Sequence, residues 1–158
     1  MNSPDRIIYL AGPITGLTYD VARNGWRDEF AGMMPSHIHC LSPMRGKSFL
    51  PPGQVIEKGA EYLSTHIIEN PRGILTRDTN DVRMADVIVA NFLGATIASI
   101  GTCAEFGMAH AWQKPLVLIM EPEGNIHHHG FITEIASFWV HNLEDAAEVV
   151  KTLLTPGS

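Results

Sequence analysis

The sequence has few cysteines, no surplus of basic residues and no long hydrophobic run, and each of these absences excludes a class of protein. Cys40 and Cys103 are the two cysteines among 158 residues, and they form no CxxC pair. This usage argues against a disulfide scaffold and predicts a reduced, cytoplasmic protein. Acidic residues outnumber lysine and arginine by 17 to 11, whereas a nucleic-acid-binding protein needs a basic face. We therefore expect no nucleic-acid polymer as a partner.

The apolar runs are too short for a membrane-spanning segment or a signal peptide. The N-terminus reaches Asp5 and Arg6 before its first apolar run, and that run is short. The three consecutive histidines His127–His129 do not predict a zinc site, because adjacent residues do not converge easily on one ion and no further ligand set is evident. We expect no membrane partner, no metal and no cofactor.

What the sequence does contain is an ordinary globular composition, 45% hydrophobic and 18% charged. A chain of this length buries roughly two-thirds of its unfolded surface when it folds. The sequence shows no internal repeat and no domain boundary, so we predict that residues 1–158 form a single domain.

Short apolar runs alternate with segments of helical periodicity. The run from Asp86 to Phe92 is almost entirely apolar, which is typical of a central parallel strand covered on both faces. Predicted strands cover residues 7–11, 38–41, 86–92, 115–120 and 138–140. The alternation predicts an α/β fold with a doubly wound, flavodoxin- or Rossmann-like parallel sheet of about five strands flanked by helices.

The predicted helices lie between these strands. The first begins at Thr18 or Asp20 and carries an apolar face made of Val21, Trp26, Phe30 and Met33. Residues 43–72 are the least regular part, with a helix predicted around Val55–Ile68, and long irregular segments are often functional lids. The remaining helices are predicted over 78–85, 101–112 and 131–136 and after a cap at Asn142.

Residues 99–109 read SIGTCAEFGMA, and Glu105 is the only acid among small or apolar neighbours. A turn from a strand into a helix is expected here, and open α/β folds bind ligands at such turns. A carboxylate placed there is poorly solvated, so its surroundings can shift its pKa. The residues alone are equally consistent with a glutamate that the helix dipole favours.

Other candidate residues are predicted at the same edge of the sheet. The turn Gly12-Pro13-Ile14-Thr15-Gly16 follows the first strand. It has neither the GxGxxG spacing nor that of a Walker loop, but a glycine-bounded turn before a helix can cradle a phosphate or a ribose hydroxyl. This turn is therefore a weak indication of a binding site.

Carboxylates and an amide complete the predicted edge. Asn91 ends the central strand, and Asp78 and Asp81 share one face of the preceding helix at i, i+3. Carboxylates grouped in one crevice can divide the roles of nucleophile and acid, which suits cleavage of a glycosidic bond. The alternative is that the two aspartates only cap a short helix.

Three motifs, in this order and spacing, resemble the nucleoside 2-deoxyribosyltransferase family and its nucleotide N-glycosidase relatives. They are I-Y-L-A-G-P, N-D followed by A-D-V-I-V-A, and G-T-x-x-E-x-G-x-A, within a match from Ile7 to about Val150. The resemblance implies cleavage of 2′-deoxyribonucleosides or their 5′-monophosphates through a glutamyl-deoxyribosyl intermediate, with transfer of the sugar to another nucleobase. Hydrolysis of a 5′-monophosphate and a non-catalytic nucleotide sensor are the alternatives.

The resemblance also implies roles for individual residues. Glu105 is similar to the nucleophile that attacks C1′, and Tyr9 to the tyrosine that orients it. Asp81 is similar to the aspartate that handles the proton of the base, with Asp78 as the second candidate. Tyr9 is also consistent with a core aromatic whose hydroxyl finds any partner.

Two further positions bear on assembly and substrate. In this family a neighbouring subunit completes the site with a polar residue before an apolar pair, and His129 resembles that residue, which implies a homo-oligomer with shared sites. An exposed loop is the alternative. Ser99 stands where nucleoside-specific transferases often carry an acid, and a serine resembles members that act on monophosphates. With the amides near Gly101, it can donate to a phosphate that an acid would repel.

Overall fold

The apolar runs form the strands of one parallel sheet in the computed structural model, which describes residues 5–157. The strands are ordered β2-β1-β3-β4-β5, and each predicted strand is present with its ends shifted by at most one residue. Their bounds are β1 Arg6–Ala11, β2 Ile38–Leu41, β3 Val87–Asn91, β4 Leu116–Ile119 and β5 Phe138–Val140. All four strand pairs are parallel.

Within residues 5–157, six α-helices together with the sheet confirm the doubly wound α/β fold. They are α1 Tyr19–Asn24, α2 Trp26–Gly32, α3 Pro71–Met84, α4 Ile100–Ala111, α5 Gly130–Ile135 and α6 Leu143–Leu154. On one face of the sheet, α3, α4 and α5 bury residues such as Val82, Phe106 and Ile132. On the other face, α2 and α6 bury Phe30 and Val150, among others. Both faces of the sheet are therefore covered.

The single helix predicted after Thr18 is two helices, so that prediction is wrong in its length. Thr18 does cap α1, since its hydroxyl accepts a hydrogen bond from the Val21 amide. Gly25 ends this helix, and a Cβ there would lie only 2.5 Å from the Val21 carbonyl oxygen. Because of the break, the predicted apolar residues do not share one buried face: Val21 in α1 is exposed, whereas Phe30 in α2 is buried.

The helix predicted around Val55–Ile68 is also wrong, because only a 3-10 turn, Ala60–Tyr62, forms there. Residues 43–70 instead cover α1. Ile56 exchanges backbone hydrogen bonds with Gly16 and Leu17, at 2.9 and 2.7 Å. This segment and α1 share a small hydrophobic cluster of Tyr19, Ala22, Met44, Leu50, Ile56 and Ala60.

Helix α3 begins seven residues before its predicted start at Asp78. Asn70 caps it by accepting a hydrogen bond from the Gly73 amide at 2.9 Å, and Pro71 occupies its first turn. Both residue types favour a helix start, Asn at the cap and Pro in the first position. The longer α3 carries Asp78 and Asp81 in its interior rather than as caps.

The turn after β1 lies directly against the end of β3. A Cβ at Gly12 would be 2.9 Å from the Asn91 carbonyl oxygen, so only glycine fits there without a shift. Arg27, almost fully buried in α2, donates hydrogen bonds to the carbonyls of Leu10, Gly12 and Ala22. These contacts fix the turn at the carboxyl edge of the sheet.

Candidate active site

A cavity of about 540 Å³ opens at the carboxyl edge of the sheet, where ligands bind in open α/β folds. Its lining comes from the turn after β1, the segment 43–70, helix α3, the loop after β3 and the first turns of α4. These contribute Gly12, Ile14, Thr15, Pro43, Lys47, Lys58, Gly59, Glu61, Ile74, Asp78, Ile97, Ala98, Ser99, Ile100, Gly101, Thr102 and Glu105. Five separate stretches of chain therefore build one site.

Glu105 is a buried carboxylate of this cavity, with 9% of its surface exposed. The hydroxyl of Tyr9, from β1, donates a hydrogen bond to Glu105 Oε1 at 2.8 Å. Burial, followed by the charge of Asp78, raises the pKa of Glu105 to about 7, against the opposing effects of the Tyr9 hydrogen bond and the charge of Lys47. The structure thus brings Tyr9 and Glu105 together as the resemblance implies.

Tyr9 acts on Glu105 as a neutral donor. It is fully buried in β1, and burial, followed by the charge of Glu105, raises the pKa of its hydroxyl well above the usual value. The hydroxyl therefore keeps its proton and orients one carboxylate oxygen. The second oxygen, Oε2, is outside this hydrogen bond.

Asp78 lines the same cavity from α3. Its carboxylate accepts hydrogen bonds from Arg77 Nε and Nη2 at 3.0 and 2.8 Å, and Lys47 Nζ lies 4.0 Å away. Burial raises the pKa of Asp78, while the charges of Lys47 and Arg77 lower it. The site thus holds two carboxyl groups with raised pKa values, Glu105 and Asp78, an arrangement typical of acid and nucleophile pairs.

Asp81 does not line this cavity, although it shares α3 with Asp78. Its carboxylate, nearly fully buried, accepts both of its short contacts from Arg45 Nη2, at 2.9 and 2.7 Å. The assignment of Asp81 to the proton of the base therefore stays a prediction, and the geometry favours Asp78 for that role.

Lys47 is a site residue that the sequence analysis missed. Its side chain is nearly buried and faces Asp78 in the cavity. Burial lowers its pKa, opposed by the charge of Asp78. Its nearest neighbours in the sequence are Arg45, Gly46 and Ser48, so no local apolar pattern indicates that this lysine is buried.

The first turn of α4 forms the opposite wall. Ser99 caps the helix, with its Oγ 2.8 Å from Thr102 Oγ1 and 3.4 Å from the Thr102 amide. Gly101 leaves open space, because a Cβ there would meet no atom within 4 Å. Hydroxyls and free amides at a helix N-terminus are suited to an anionic or hydroxyl-bearing ligand.

Besides Tyr9 and Asp81, three more predicted site residues lie off the lining. Asn91 accepts a hydrogen bond from the Leu93 amide at 3.0 Å and shapes the turn after β3. Pro13 lies between two lining residues, Gly12 and Ile14. His129 caps α5, where its Nδ1 accepts from the Phe131 amide at 3.1 Å. Their roles in binding remain predictions.

Neighbouring His127 is buried rather than exposed with its loop. Across residues 5–157, His, Cys, Asp and Glu side chains form no group of three or more that could hold a metal ion. Nor does this part of the chain contain a helix that is both long and apolar enough to cross a bilayer.

The three motifs seen in the sequence lie in β1 and the turn after it, in α3 and β3, and in α4. The sequence profile described as Nucleoside 2-deoxyribosyltransferase matches residues 8–150. The chain belongs to this family. The resemblance noted in the sequence is thereby confirmed, and membership supports the function of a deoxyribosyltransferase or N-glycosidase.

Solved structures show how widely the fold of this deoxyribosyltransferase family member is used. The 2-desoxiribosyltransferase of Leishmania mexicana is 18% identical, with a TM-score of 0.56 over 95% of this chain and 99% of that one. A molybdenum cofactor binding protein of Rippkaea orientalis is 16% identical, with a TM-score of 0.54 over 98% and 99%. The CMP N-glycosidase of Clostridium botulinum is 12% identical, with a TM-score of 0.54 over 94% and 100%.

These likenesses establish a shared fold, and the fold alone does not determine an activity. Among curated protein sequences, none matches this family member significantly. The function therefore has to be argued from the residues of the cavity.

Proposed function

We propose that this chain cleaves the N-glycosidic bond of a 2′-deoxyribonucleoside or its 5′-monophosphate and passes the sugar to another nucleobase. The observation that carries the proposal is the Glu105 carboxylate, buried in the cavity and held by the Tyr9 hydroxyl at 2.8 Å. A desolvated carboxylate beside a second carboxyl group suits an oxocarbenium-like transition state.

In the first step, Glu105 Oε2 attacks C1′ of the sugar. The C1′–N bond breaks, its electron pair goes to the base, and the carboxyl proton of Asp78 is transferred to the base. A glycosyl ester of Glu105 and a neutral base result, and Asp78 is left ionised. Lys47, 4.0 Å from Asp78, stabilises that charge.

In the second step, a ring nitrogen of another base attacks C1′ and the ester bond breaks. Asp78 takes the proton of the incoming base and Glu105 regains its charge, so the enzyme returns to its starting state. Water can take the place of the second base, which gives hydrolysis instead of transfer. The two reactions share every residue of the first step.

The pH profile follows from the proton that Glu105 and Asp78 share. The reactive form has its proton on Asp78 and its charge on Glu105, and the pair loses its last proton near pH 7, the pKa of Glu105. We expect kcat/KM to fall as the pH rises through about 7 and to fall again at acidic pH, where both groups are protonated. In Asp78→Asn the alkaline fall should disappear, and kcat/KM should instead rise with pH as Glu105 ionises. Initial rates from pH 4.5 to 9 measure both profiles.

The test of the function is a panel of deoxynucleosides and deoxynucleoside 5′-monophosphates, incubated with and without a second base. Chromatography would show released base in both reactions, and a new nucleoside only when the acceptor is present. Release without transfer would favour the hydrolase. Absence of both from the whole panel would overturn the proposal and favour a nucleotide-binding module.

A monophosphate N-glycosidase is the second candidate, and the wall around Ser99 favours it. Ser99 offers a hydroxyl in place of an acid, and Lys47 and Lys58 both line the cavity. If the substrate is a monophosphate, Ser99→Ala should weaken its binding by roughly 1–3 kcal/mol, with little effect on the free nucleoside. Ser99→Asp should reverse the preference, because its carboxylate repels phosphate. Equal effects on KM for both substrates would contradict a role in reading the 5′ end.

Gly101 and Gly107 provide a matched pair on α4. Neither position has an atom within 4 Å of an added Cβ, but only Gly101 lines the cavity. Alanine at either site should stabilise the helix by up to about 1 kcal/mol. Only Gly101→Ala should raise KM, by roughly tenfold, since its methyl group occupies substrate space. Thermal unfolding and kinetics of both variants check this, and an equal KM for the two would show that substrate does not reach Gly101.

We also propose a homo-oligomer in which residues near His129 reach a neighbouring site. Two exposed apolar side chains support this, Ile100 in the cavity lining and Phe131 in α5, which are 80% and 79% exposed. Sedimentation at micromolar concentration, with activity measured on the same sample, tests the assembly. A fully active monomer would contradict it.

A further inference from the structure

The two loops that follow β3 and β4 are joined by a chain of polar contacts. Glu121 accepts hydrogen bonds from the Gly94 amide at 2.6 Å and from Asn125 Nδ2 at 2.7 Å. Asn125 Nδ2 also donates to the Phe92 carbonyl at 2.7 Å, and Asn125 Oδ1 accepts from the His127 amide at 2.9 Å. The loop after β4 is thereby fixed against the loop that leads into α4.

His127 is the last member of this chain of contacts and bonds the backbone of Ser99, which lines the cavity. Its ring, with 4% of the residue exposed, stacks on Phe92 at 4.0 Å between centroids and 18° between planes. Nε2 accepts a hydrogen bond from the Ser99 amide at 2.8 Å. An amide only donates, so Nε2 carries no proton.

The other ring nitrogen fixes the tautomer. Nδ1 lies 3.2 Å from Asn125 Oδ1. The orientation of the Asn125 amide is fixed because its Nδ2 donates to the Phe92 carbonyl and to Glu121, so the atom that faces Nδ1 is the oxygen, an acceptor. Nδ1 therefore carries the hydrogen and His127 is neutral. Burial lowers the pKa of His127, in agreement with this form.

Among residues 5–157, the His127 ring has no ion-pair partner that would favour its charged form. Phe92 covers it from the end of β3, Asn125 from its own loop and the Ser99 backbone from the start of α4. Glu121, the carboxylate of the network, bonds Asn125 rather than the ring. Protonation would place an N–H against the Ser99 N–H, so the charged ring breaks this contact.

Ser99 is the point at which this contact affects the site. It caps α4, lines the cavity and precedes Glu105 by six residues on the same helix. A hydrogen bond to its backbone amide sets the position of its hydroxyl and of the first helical turn. The rest of α4 is held independently, by Phe106 and Ala109 in the core.

We propose that His127 is a positioning residue whose unprotonated Nε2 holds the Ser99 backbone, so that the cap of α4 is preset for the sugar end of the substrate, and that protonation of the ring releases it. The substrate part of this inference rests on the proposed function, whereas the contact with Ser99 does not.

Three variants separate the acceptor from the ring. His127→Gln keeps an acceptor near the position of Nε2 and does not titrate, whereas His127→Phe keeps the stacking on Phe92 and loses the acceptor. His110→Phe is the control, since His110 is exposed and lies at the end of α4 opposite Ser99. At pH 7.5 we expect His127→Phe to raise KM by about tenfold and to change kcat less than threefold. His127→Gln and the control should resemble the wild type.

Amide hydrogen exchange at Ser99, followed by NMR, tests the contact without any turnover. Its protection factor should fall at least tenfold in His127→Phe and be retained in His127→Gln. In the wild type, protection should be lost as the pH falls below the ordinary histidine value of about 6.5, while His127→Gln keeps it. If His127→Phe fails to fold, the pH dependence of Ser99 protection in the wild type and in His127→Gln still tests the contact.

Two results would overturn the inference. Unchanged protection of Ser99 in His127→Phe, or in the acidified wild type, would remove the contact itself. An elevated KM in His127→Gln equal to that of His127→Phe would show that the imidazole ring, not its acceptor atom, is required. A panel without turnover but with the expected exchange behaviour would count against the proposed function and leave the Ser99 contact in place.

Discussion

Replacing Glu105 by glutamine is expected to lower kcat by about three orders of magnitude or more, because the variant has no nucleophile and cannot form the glycosyl ester. Mass spectrometry of the wild type with a slow substrate should show a deoxyribosyl adduct on Glu105, and the variant should show none. Glu148→Gln is the matched control, an exposed glutamate on α6 behind the sheet. More than a few per cent of residual activity in Glu105→Gln would remove Glu105 from its proposed role.

The same variant should be more stable than the wild type at alkaline pH. Folding raises the pKa of Glu105 from 4.5 to about 7, so the folded state holds a proton more tightly than the unfolded state. Stability therefore decreases as the pH rises from 4.5 to 7, by about 3 kcal/mol in total. Glutamine does not titrate, so Glu105→Gln should gain about this much at pH 8 and little at pH 4. Urea unfolding at both pH values measures the difference, and an equal gain at both would contradict a pKa near 7.

Asp78→Asn is expected to have the second largest effect, a fall in kcat of about 10²–10⁴, because the proton for the departing base is lost. Its partner for comparison is Asp81→Asn, three residues further along α3. That change weakens the pair with Arg45 and should cost about 1–3 kcal/mol of stability, with kcat within a fewfold of the wild type. Kinetics and thermal unfolding of the two variants distinguish the roles. A large loss of kcat in Asp81→Asn alone would instead support the role that the sequence resemblance assigns to Asp81.

The strands were predictable because a buried parallel strand needs a continuous apolar run, and these runs depend on local sequence alone. The cap at Asn142 and the placement of Glu105 in the second turn of α4 follow from similarly local signals. The break at Gly25 and the start of α3 after Asn70 also had local signals, a glycine and an Asn-Pro pair. Those two errors lay in the interpretation rather than in the sequence.

Other features depend on contacts between distant segments, which a single sequence does not encode locally. Asp78 and Asp81 are both aspartates on one face of α3, but of the two only Asp81 forms an ion pair with Arg45. That difference is set by the path of residues 43–50, which shows no periodic pattern. Lys47 and the buried ring of His127 depend on the same kind of long-range placement.

The cluster shared by α1 and residues 43–70 divides the site into two parts with separate sources of stability. Tyr9, Asp78 and Glu105 are supplied by the sheet and the two helices packed on it. The covering wall with Lys47 and Lys58 is held mainly by its own small core. Under the proposed function, substitutions in this wall can therefore change the preference for base or sugar substituent while the proposed catalytic groups stay unchanged. A graft of this segment between relatives is the corresponding route to a new substrate preference.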